Sequence, residues 1–416
     1  MKSYINAASL AAASIAAAHA NPVPLGQSIL DPLGAPIADG ALLFNSRLRY
    51  EYADQEGFDD ANAFTLRTRL GYQTGVYSGF SLLAEGEYNW ELNSGDFAAY
   101  PPPFNAGQTV VADGESFDLN RLFAKYQSEP FTAMVGRQDI NLLNQRHVGT
   151  VAWRQNDQTF DAARFQLNAI PDFVLDYTYN WQVNRIFGSE APAGALQRLH
   201  GDNHFLNATY TGIGNLTLGA YAYLLYFSNA AAISSDTYGL FAEGTTPLCP
   251  SYSLKYRAEW AYQMENSDTT AGTDFSEHYF HVRGAVIRNK YEVGAGFESL
   301  GGDGINAFQT PLATLHLFNG WADSFLATPG GGLRDYYVFA GAPLCWGING
   351  RLEAHYFTAE DTGDVYGQEY GISLVKKFND NLTALTKVSQ YAGDASNGGV
   401  VGADKTKFWL QLEYTF

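Results

Sequence analysis

The chain has 416 residues, of which 43 are acidic and 25 basic, giving a formal net charge of -18 at pH 7. This acidic balance argues against nucleic-acid binding, and the presence of only two cysteines argues against a disulfide-dense secreted domain. No window contains the ~20 uninterrupted apolar residues that a membrane-spanning helix needs. The 15% of aromatic residues and the 42 glycines are more typical of a β protein than of a helical one.

The first twenty residues predict a cleavable signal peptide. Lys2 supplies the positive charge, residues 5–18 form an Ala-rich apolar stretch, and Ala18-His19-Ala20 fits a small-x-small cleavage site. The alternative is an ordinary amphipathic helix, which the lack of any acidic residue before Asp31 disfavours. Residues 21–40, interrupted by Pro and Gly, predict a short periplasmic lead-in.

From residue 41 onward, apolar and polar residues alternate in runs of about ten, which is typical of a membrane β-barrel. In the first run, Leu48 and Tyr50 point one way while Arg47 and Arg49 point the other. About 18 such runs can be placed, and short connections alternate with long ones. Residues 41–416 are therefore predicted to be all-β: a transmembrane antiparallel barrel with short periplasmic turns and longer extracellular loops.

The final run strengthens this prediction. Phe408, Leu410 and Leu412 alternate with polar residues, and the chain ends on Phe416. A terminal aromatic residue on such a strand is the signal that barrel-insertion machinery reads, so that machinery and outer-membrane lipid are the expected partners. The expected location is the bacterial outer membrane.

One long connection, residues 301–334, is unusually apolar for a solvated loop. It contains Phe308, Leu312, Phe318, Trp321 and Phe325. A loop of this composition predicts a plug or lid folded into the lumen, and the alternative is packing over the outer rim or against a neighbouring protomer.

Catalysis, cofactors and metals find no support in the sequence. The eight histidines are scattered, and none lies in a motif of a metalloprotease or serine hydrolase. Cys249 and Cys345 lie in turns four strands apart, too far for an expected disulfide. We therefore expect a protein that is not an enzyme and has neither cofactor nor metal.

Basic side chains with inward parity are the candidate substrate-pathway residues. Arg121 and Lys125 are weaker members, because the apolar Leu119 and Phe123 share their parity. Two interpretations stay open, namely selection of acidic solutes or structural pairing with inward-facing glutamates, and the two are compatible. The candidates are Arg47, Arg49, Arg67, Arg69, Arg121, Lys125, Arg154, Arg257, Arg283 and Arg351, with Lys255 continuing the same pattern.

Several segments resemble the alginate-export family of outer-membrane proteins. They are LRTRLGYQT at 66–74, VGRQ at 135–138, NQRHVG at 144–149, WRQNDQTFDA at 153–162 and TPLATLHLFNGWAD at 310–323. The resemblance implies a monomeric 18-stranded barrel whose Arg-rich lumen passes an acidic polysaccharide. It places Arg47, Arg49, Arg67, Arg69, Arg121 and Arg154 where such a lumen would bind its polymer.

The function expected from the sequence is porin-like passage of anionic or sugar-like solutes, including alginate or its oligomers. Lumenal aromatic residues such as Tyr279 are expected to offer sugars a stacking surface. A structural or adhesive barrel is the second class, and an outer-membrane hydrolase is the third.

Overall fold

The computed structural model describes residues 39–101, 104, 107–192, 197–266 and 275–416. The predicted signal peptide, residues 1–20, lies outside the described residues, and so does the predicted lead-in up to residue 38. The described residues form one antiparallel β-sheet that closes on itself.

Eighteen strands follow one another along the chain, and each pairs with the strand before it. The predicted fold class and strand count are confirmed. The strands are β1 Ala41–Gln55, β2 Ala61–Gln73, β3 Phe80–Glu91, β4 Ser116–Ser128, β5 Phe131–Gln138, β6 Thr159–Ile170, β7 Phe173–Asn184, β8 Arg198–Ile213, β9 Leu216–Leu225, β10 Ser235–Cys249, β11 Tyr252–Glu265, β12 Ser276–Arg288, β13 Tyr291–Leu300, β14 Leu333–Pro343, β15 Ile348–Thr358, β16 Val365–Lys377, β17 Leu382–Gly393 and β18 Lys405–Thr415.

The ring closes where β1 pairs with β18. Their register runs from Asn45 opposite Thr415 to Gln55 opposite Lys405. The terminal residue takes part, because Phe416 N donates to Phe44 O (2.8 Å) and Phe44 N donates to Phe416 O (3.2 Å). Closure leaves none of the eighteen described strands with an unpaired edge, which is the condition that strands must meet in lipid.

Side chains alternate between an inner and an outer face. On β1 the inward-facing Arg47, Arg49 and Glu51 are buried, whereas on β2 and β3 the outward-facing Leu70 and Leu82 are each 57% exposed. Exposed apolar side chains recur on the outer face around the ring: Leu122, Leu240, Val282, Val293, Val338, Leu352, Ile372 and Leu410. An apolar belt outside and charged residues inside is the arrangement of a barrel in a membrane.

Helices contribute little to the described chain. Four short 3-10 turns and one helix of four residues, Gly399–Gly402, occur among the described residues. None of the helices in the described ranges has the length and apolar character needed to cross a membrane.

Short and long connections lie at opposite ends of the barrel. The short turns, such as 129–130, 214–215 and 289–290, are at the end where β1 starts and β18 finishes. At the other end are the three longest loops, which we call L2 (residues 92–115), L3 (139–158) and L7 (301–332). The short-turn end is the periplasmic end, as the alternation of the sequence predicted.

A β-bulge in β4 resolves the parity of Arg121 and Lys125. Glu85 of β3 lies opposite Arg121, but the next residue, Gly86, lies opposite Leu119, so Asn120 is the extra residue. Leu119 therefore faces outward and is 45% exposed, while Arg121 and Lys125 face inward. The prediction that Leu119 shares their face was wrong, because a bulge shifts the alternation by one residue, whereas Phe123, opposite the inward-facing Leu83, does share it.

The outer face provides a direct test of the membrane belt. Val282 lies at the middle of β12 and faces outward, so Val282→Arg should lower the free energy of unfolding by about 2–4 kcal/mol in lipid. The matched control is Ile305→Arg, because Ile305 is 82% exposed in L7 and should tolerate the charge. Urea unfolding in phospholipid vesicles measures both. Equal effects of the two substitutions would contradict the assignment of the outer face.

Candidate functional site

Four consecutive strands around the closure carry a concentration of inward-facing basic side chains, which we call the basic wall. On these strands only Glu51 and Glu413 supply inward-facing carboxylates, so the wall itself has an excess of positive charge. The basic wall consists of Lys387 on β17, Lys405 and Lys407 on β18, Arg47 and Arg49 on β1, and Arg67 and Arg69 on β2.

Loops L3 and L7 fold inward and pair with each other. Val148 of L3 and Leu312 of L7 form a parallel bridge, and Gly149 N donates to Leu312 O (2.9 Å). Thr314 N of L7 donates in turn to Gln145 O of L3 (3.1 Å). Leu312 and Phe308 are completely buried, which explains the apolar composition of L7. The two loops therefore form one packed unit.

Arg47 and Arg49 hold L3 against the wall. Arg47 Nη1 donates to three consecutive backbone carbonyls, those of Ala152 (3.0 Å), Trp153 (3.4 Å) and Arg154 (3.2 Å). The Arg49 guanidinium lies 4.4 Å from the centre of the Trp153 ring and pairs with Asp113 of L2 (3.5 Å). Both arginines are almost completely buried, so L3 covers them in this conformation.

Arg67 and Arg69 differ in their ion-pair partners and in their exposure to solvent. Arg67 pairs with Glu413 of β18 (3.3 Å) and is buried. Arg69 pairs with Glu87 of β3 and with Asp157 of L3 (2.8 Å), and its side chain stays 13% exposed. Arg69 is therefore the arginine of the wall that solvent in the lumen can still reach.

Loop L3 places Arg154 at the basic wall, where its guanidinium lies close to three carboxylates. It lies 3.0 Å from Glu51 of β1, 3.6 Å from Asp113 of L2 and 3.3 Å from Asp323 of L7. Burial alone would lower the pKa of Arg154, but these three carboxylates outweigh it and raise the pKa above its usual value. Arg154 is therefore firmly cationic at the point where three loops meet.

A chain of hydrogen bonds joins L7 to β17 and β18. Lys387 Nζ lies 2.7 Å from His316 Nε2, and His316 Nδ1 lies 2.7 Å from Asp323 Oδ1. Because an ammonium group has only donors, Nε2 accepts and the imidazole proton sits on Nδ1, where it is donated to Asp323. Lys407 completes the set by pairing with Asp323 Oδ2 (2.7 Å).

His316 is neutral in this chain of bonds. Burial lowers the pKa of His316 to about 3, and the positive charge of Lys387 acts in the same direction, against the opposing effect of Asp323. A neutral imidazole is what the chain requires, because a protonated Nε2 would meet the Lys387 ammonium donor to donor.

Three tryptophans surround Lys387. Its Nζ is 3.8 Å from the centre of the Trp321 ring and 4.5 Å from that of Trp153, and Trp409 packs behind. The His316 ring stacks on Trp153, with centroids 4.2 Å apart and an interplanar angle of 10°. Cation–π attraction stabilises the buried ammonium and also fixes L3 and L7 on the basic wall.

Arg146 connects the paired loops to the far side of the barrel. Its guanidinium donates to Glu298 of β13 (2.7 Å), to Thr310 Oγ1 (2.9 Å) and to Asn319 Oδ1 (3.0 Å). Burial would lower the pKa of Arg146, but Glu298 outweighs it and raises the pKa. Sequence reasoning did not select Arg146, because its role depends on which strand the loop meets.

The remaining candidates do not join the basic wall. Arg121 pairs with Glu85 (2.8 Å) and Asp139 (3.2 Å). Lys125 lies four residues further along β4, toward the periplasmic end, and none of the described carboxylates forms an ion pair with it. Arg257, Arg283 and Arg351 lie on β11, β12 and β15 and pair with glutamates: Glu243 and Glu259, Glu292, and Glu292 and Glu353, respectively.

The sequence interpretation missed part of the site. Lys387, Lys405 and Lys407 belong to the basic wall, and their inward parity could have identified them beside Trp409. The expectation that Tyr279 offers a stacking surface was wrong, because Tyr279 is completely buried against Phe308 of L7. Cys249 and Cys345 are free and exposed. Within the described ranges no group of three or more His, Cys, Asp or Glu side chains has metal-binding geometry.

Comparison with known proteins agrees with the barrel. A sequence model of the alginate-export family matches residues 35–183, a range that spans β1 to β7 almost completely. The resemblance to the alginate-export family is confirmed over that range. The segment 310–323 lies outside the match, so its likeness to the family stays a prediction. No curated protein matches the chain.

Solved structures of outer-membrane barrels share the fold at low sequence identity. OpdL of Pseudomonas aeruginosa is 16% identical with a TM-score of 0.70, covering 91% of this chain and 99% of that one. OccK9 (OpdG) of the same organism is 14% identical with a TM-score of 0.71, covering 92% and 99%. OpdK, solved with vanillate, is 14% identical with a TM-score of 0.69, covering 90% and 98%. Together with the apolar belt and the alginate-export match, these likenesses identify a bacterial outer-membrane β-barrel.

The link made by Arg146 can be tested in this outer-membrane barrel. Arg146→Leu leaves the buried Glu298 without its cation, so the docking of L3 and L7 should weaken by about 3–5 kcal/mol. Hydrogen exchange should then rise in 139–158 and 301–332 but not in the strands. The control Arg334→Leu removes a half-exposed pair with Glu360, worth about 0–1 kcal/mol. Unchanged exchange in both loops of Arg146→Leu would show that Arg146 does not hold them.

Proposed function

We propose that this barrel is a porin-like channel that passes anionic or sugar-like solutes through a lumen narrowed by L3 and L7. One observation carries the proposal: three of the six ion pairs that the basic wall forms among the described residues are made by carboxylates that belong to loops. Asp113 of L2 pairs with Arg49, Asp157 of L3 pairs with Arg69, and Asp323 of L7 pairs with Lys407.

These loop carboxylates present to the wall the same atoms that an acidic solute would present. A carboxylate binds a guanidinium through two parallel N–H···O bonds, and a low-dielectric wall strengthens the attraction. A solute carboxylate can therefore exchange with a loop carboxylate without leaving a buried cation unpaired. Exchange of this kind keeps the binding of a solute weak and spreads it over several sites. Weak binding at several sites allows the solute to leave the lumen.

In this proposal L7 is the narrowing element that its apolar composition predicted. Its buried face includes Phe308 and Phe325, which pack against Tyr279 of β12 and Phe357 of β15, and this packing supports a position inside the lumen. Arg69 and Arg121, which remain 13% and 22% exposed, are among the guanidinium groups left accessible for a passing solute, as are Arg283 (19%) and Arg351 (21%). Arg47, Arg49, Arg67 and Arg154 would become accessible when the loops shift.

Two comparisons support the choice of an acidic solute class. The family that matches residues 35–183 is described by alginate export, and alginate is an acidic polysaccharide. The similar barrel OpdK was solved with vanillate, which is a carboxylate. Alginate oligomers and small carboxylates are therefore the first solutes to test.

The second candidate is a closed structural or adhesive barrel. The observation that favours it is the complete burial of Arg47, Arg49 and Arg67 beneath L3, with every one of these cations already paired. In that case the basic side chains of the lumen are a structural ladder. Conductance separates the two functions, because a sealed barrel passes no current.

The first test is single-channel conductance of the refolded protein in planar bilayers, with the reversal potential measured under a salt gradient. We expect anion preference and block by uronate oligomers. Arg69→Gln should weaken the block about tenfold, since a hydrogen bond to a charged group is worth about 1.5 kcal/mol. Arg334→Gln, which removes the same charge at the extracellular rim, should leave the block unchanged. The channel proposal would be refuted if the barrel were closed, or if it were cation-selective and unaffected by Arg69→Gln.

The second test removes a loop carboxylate. Asp323→Asn keeps the shape of the side chain but leaves Lys407 and Arg154 with one counter-charge fewer, so anion preference should increase. The control is Asp380→Asn, a fully exposed acid in a periplasmic turn. Reversal potentials of both variants give the comparison. A shift of Asp323→Asn toward cation preference would contradict the exchange of loop and solute carboxylates.

A further inference from the structure

A cavity of about 770 Å³ opens at the periplasmic end of the lumen, away from L3 and L7. It lies between the periplasmic ends of β2 to β6 and the turns that join them, and we call it the periplasmic-mouth cavity. We propose that this cavity binds a carboxylated sugar, that is, a solute with one carboxylate and several hydroxyl groups. Its polar lining comes from Gln73, Ser81, Lys125, Gln127, Thr132 and Asn168.

Strand register explains why these side chains meet. Lys125 of β4 lies opposite Ser81 of β3, and Gln127 lies opposite Thr132 of β5. The bulge at Asn120 sets the parity that turns Lys125 and Gln127 inward. Without that extra residue, the lower half of β4 would present its other face to the lumen.

Charge is the first argument for the ligand class. None of the carboxylates in the described ranges forms an ion pair with Lys125. By contrast, Arg121 on the same strand pairs with Glu85 and Asp139, and Arg164 on β6 pairs with Asp176 (2.5 Å). Lys125 is half-buried, so its ammonium is within reach of a solute yet is partly removed from water. Glu129 also lines the cavity; it is exposed and does not form an ion pair with Lys125.

The other lining groups are the second argument. Side-chain amides and hydroxyls offer both donors and acceptors, which match the hydroxyl groups of a sugar ring. Val76 and Pro130 add apolar surface for the C–H face of such a ring. The volume also falls in the range of about 300–1,000 Å³ that is usual for small-molecule sites. A simple carboxylate without hydroxyls would use Lys125 but not the amides.

This inference rests on the proposed function for its biological meaning, because it places a solute where it enters or leaves the lumen. The binding itself does not depend on conduction. It can therefore be tested on the folded protein in detergent, whether or not the channel opens.

The experiment measures binding of sodium glucuronate to the full-length protein by saturation-transfer NMR, with glucose and acetate as comparison solutes. We expect glucuronate to bind more tightly than either. Lys125→Gln should weaken glucuronate binding about three- to fivefold, as expected for a partly exposed ion pair. Lys125→Arg, which keeps the charge, should restore most of it.

Two further variants make the outcome decisive. Lys377→Gln removes the same charge at the same end of the barrel but outside the cavity, and should leave binding unchanged. Gln127→Leu should weaken glucuronate binding without affecting acetate. Equal losses in Lys125→Gln and Lys377→Gln, or no loss in either, would overturn the site. If the channel is nevertheless anion-selective and sensitive to Arg69→Gln, the proposed function stands and only this binding site is rejected.

Discussion

Pairing of β1 with β18 is the interaction on which the rest of the structure depends. Lipid offers no hydrogen bonds, so each strand must find partners on both sides, and an open sheet of eighteen strands would leave two edges unpaired. The reciprocal bonds between Phe44 and Phe416 extend this pairing to the last residue. Once the ring is closed, alternation of side chains alone decides which residues meet lipid and which meet the lumen.

Closing the ring pairs the edge strands, but it also brings like charges together inside the barrel. Seven basic side chains of four neighbouring strands point into a confined space, where an unpaired charge is costly. The strands supply few acids of their own, and L2, L3 and L7 contribute the remainder. The same loops therefore neutralise the wall and occupy the lumen, so the state of the loops sets both the width of the passage and the charge that a solute meets.

The sequence predicted the strands well because alternation over about ten residues is a local signal. The sequence was less informative where a single extra residue changes which face of the strand a side chain occupies. The extra Asn120 of β4 reverses the parity of everything after it, and nothing in the local composition marks that position. The acids of the site were also missed, since Asp113 and Asp323 are ordinary loop residues until the folded chain brings them to Arg49 and Lys407. Arg67 and Arg69, by contrast, could be found from strand parity alone.

The contact between Val148 and Leu312 has a mechanical consequence. L3 leaves the ring between β5 and β6, and L7 leaves it between β13 and β14, at nearly opposite points of the circumference. The two loops are joined to each other, to β13 by Arg146 and to β17 by Lys387. Together they form a connection that crosses the barrel from one wall to the other. Lateral pressure from the surrounding bilayer can deform a wide cylinder toward an ellipse. A connection across its diameter would resist that deformation.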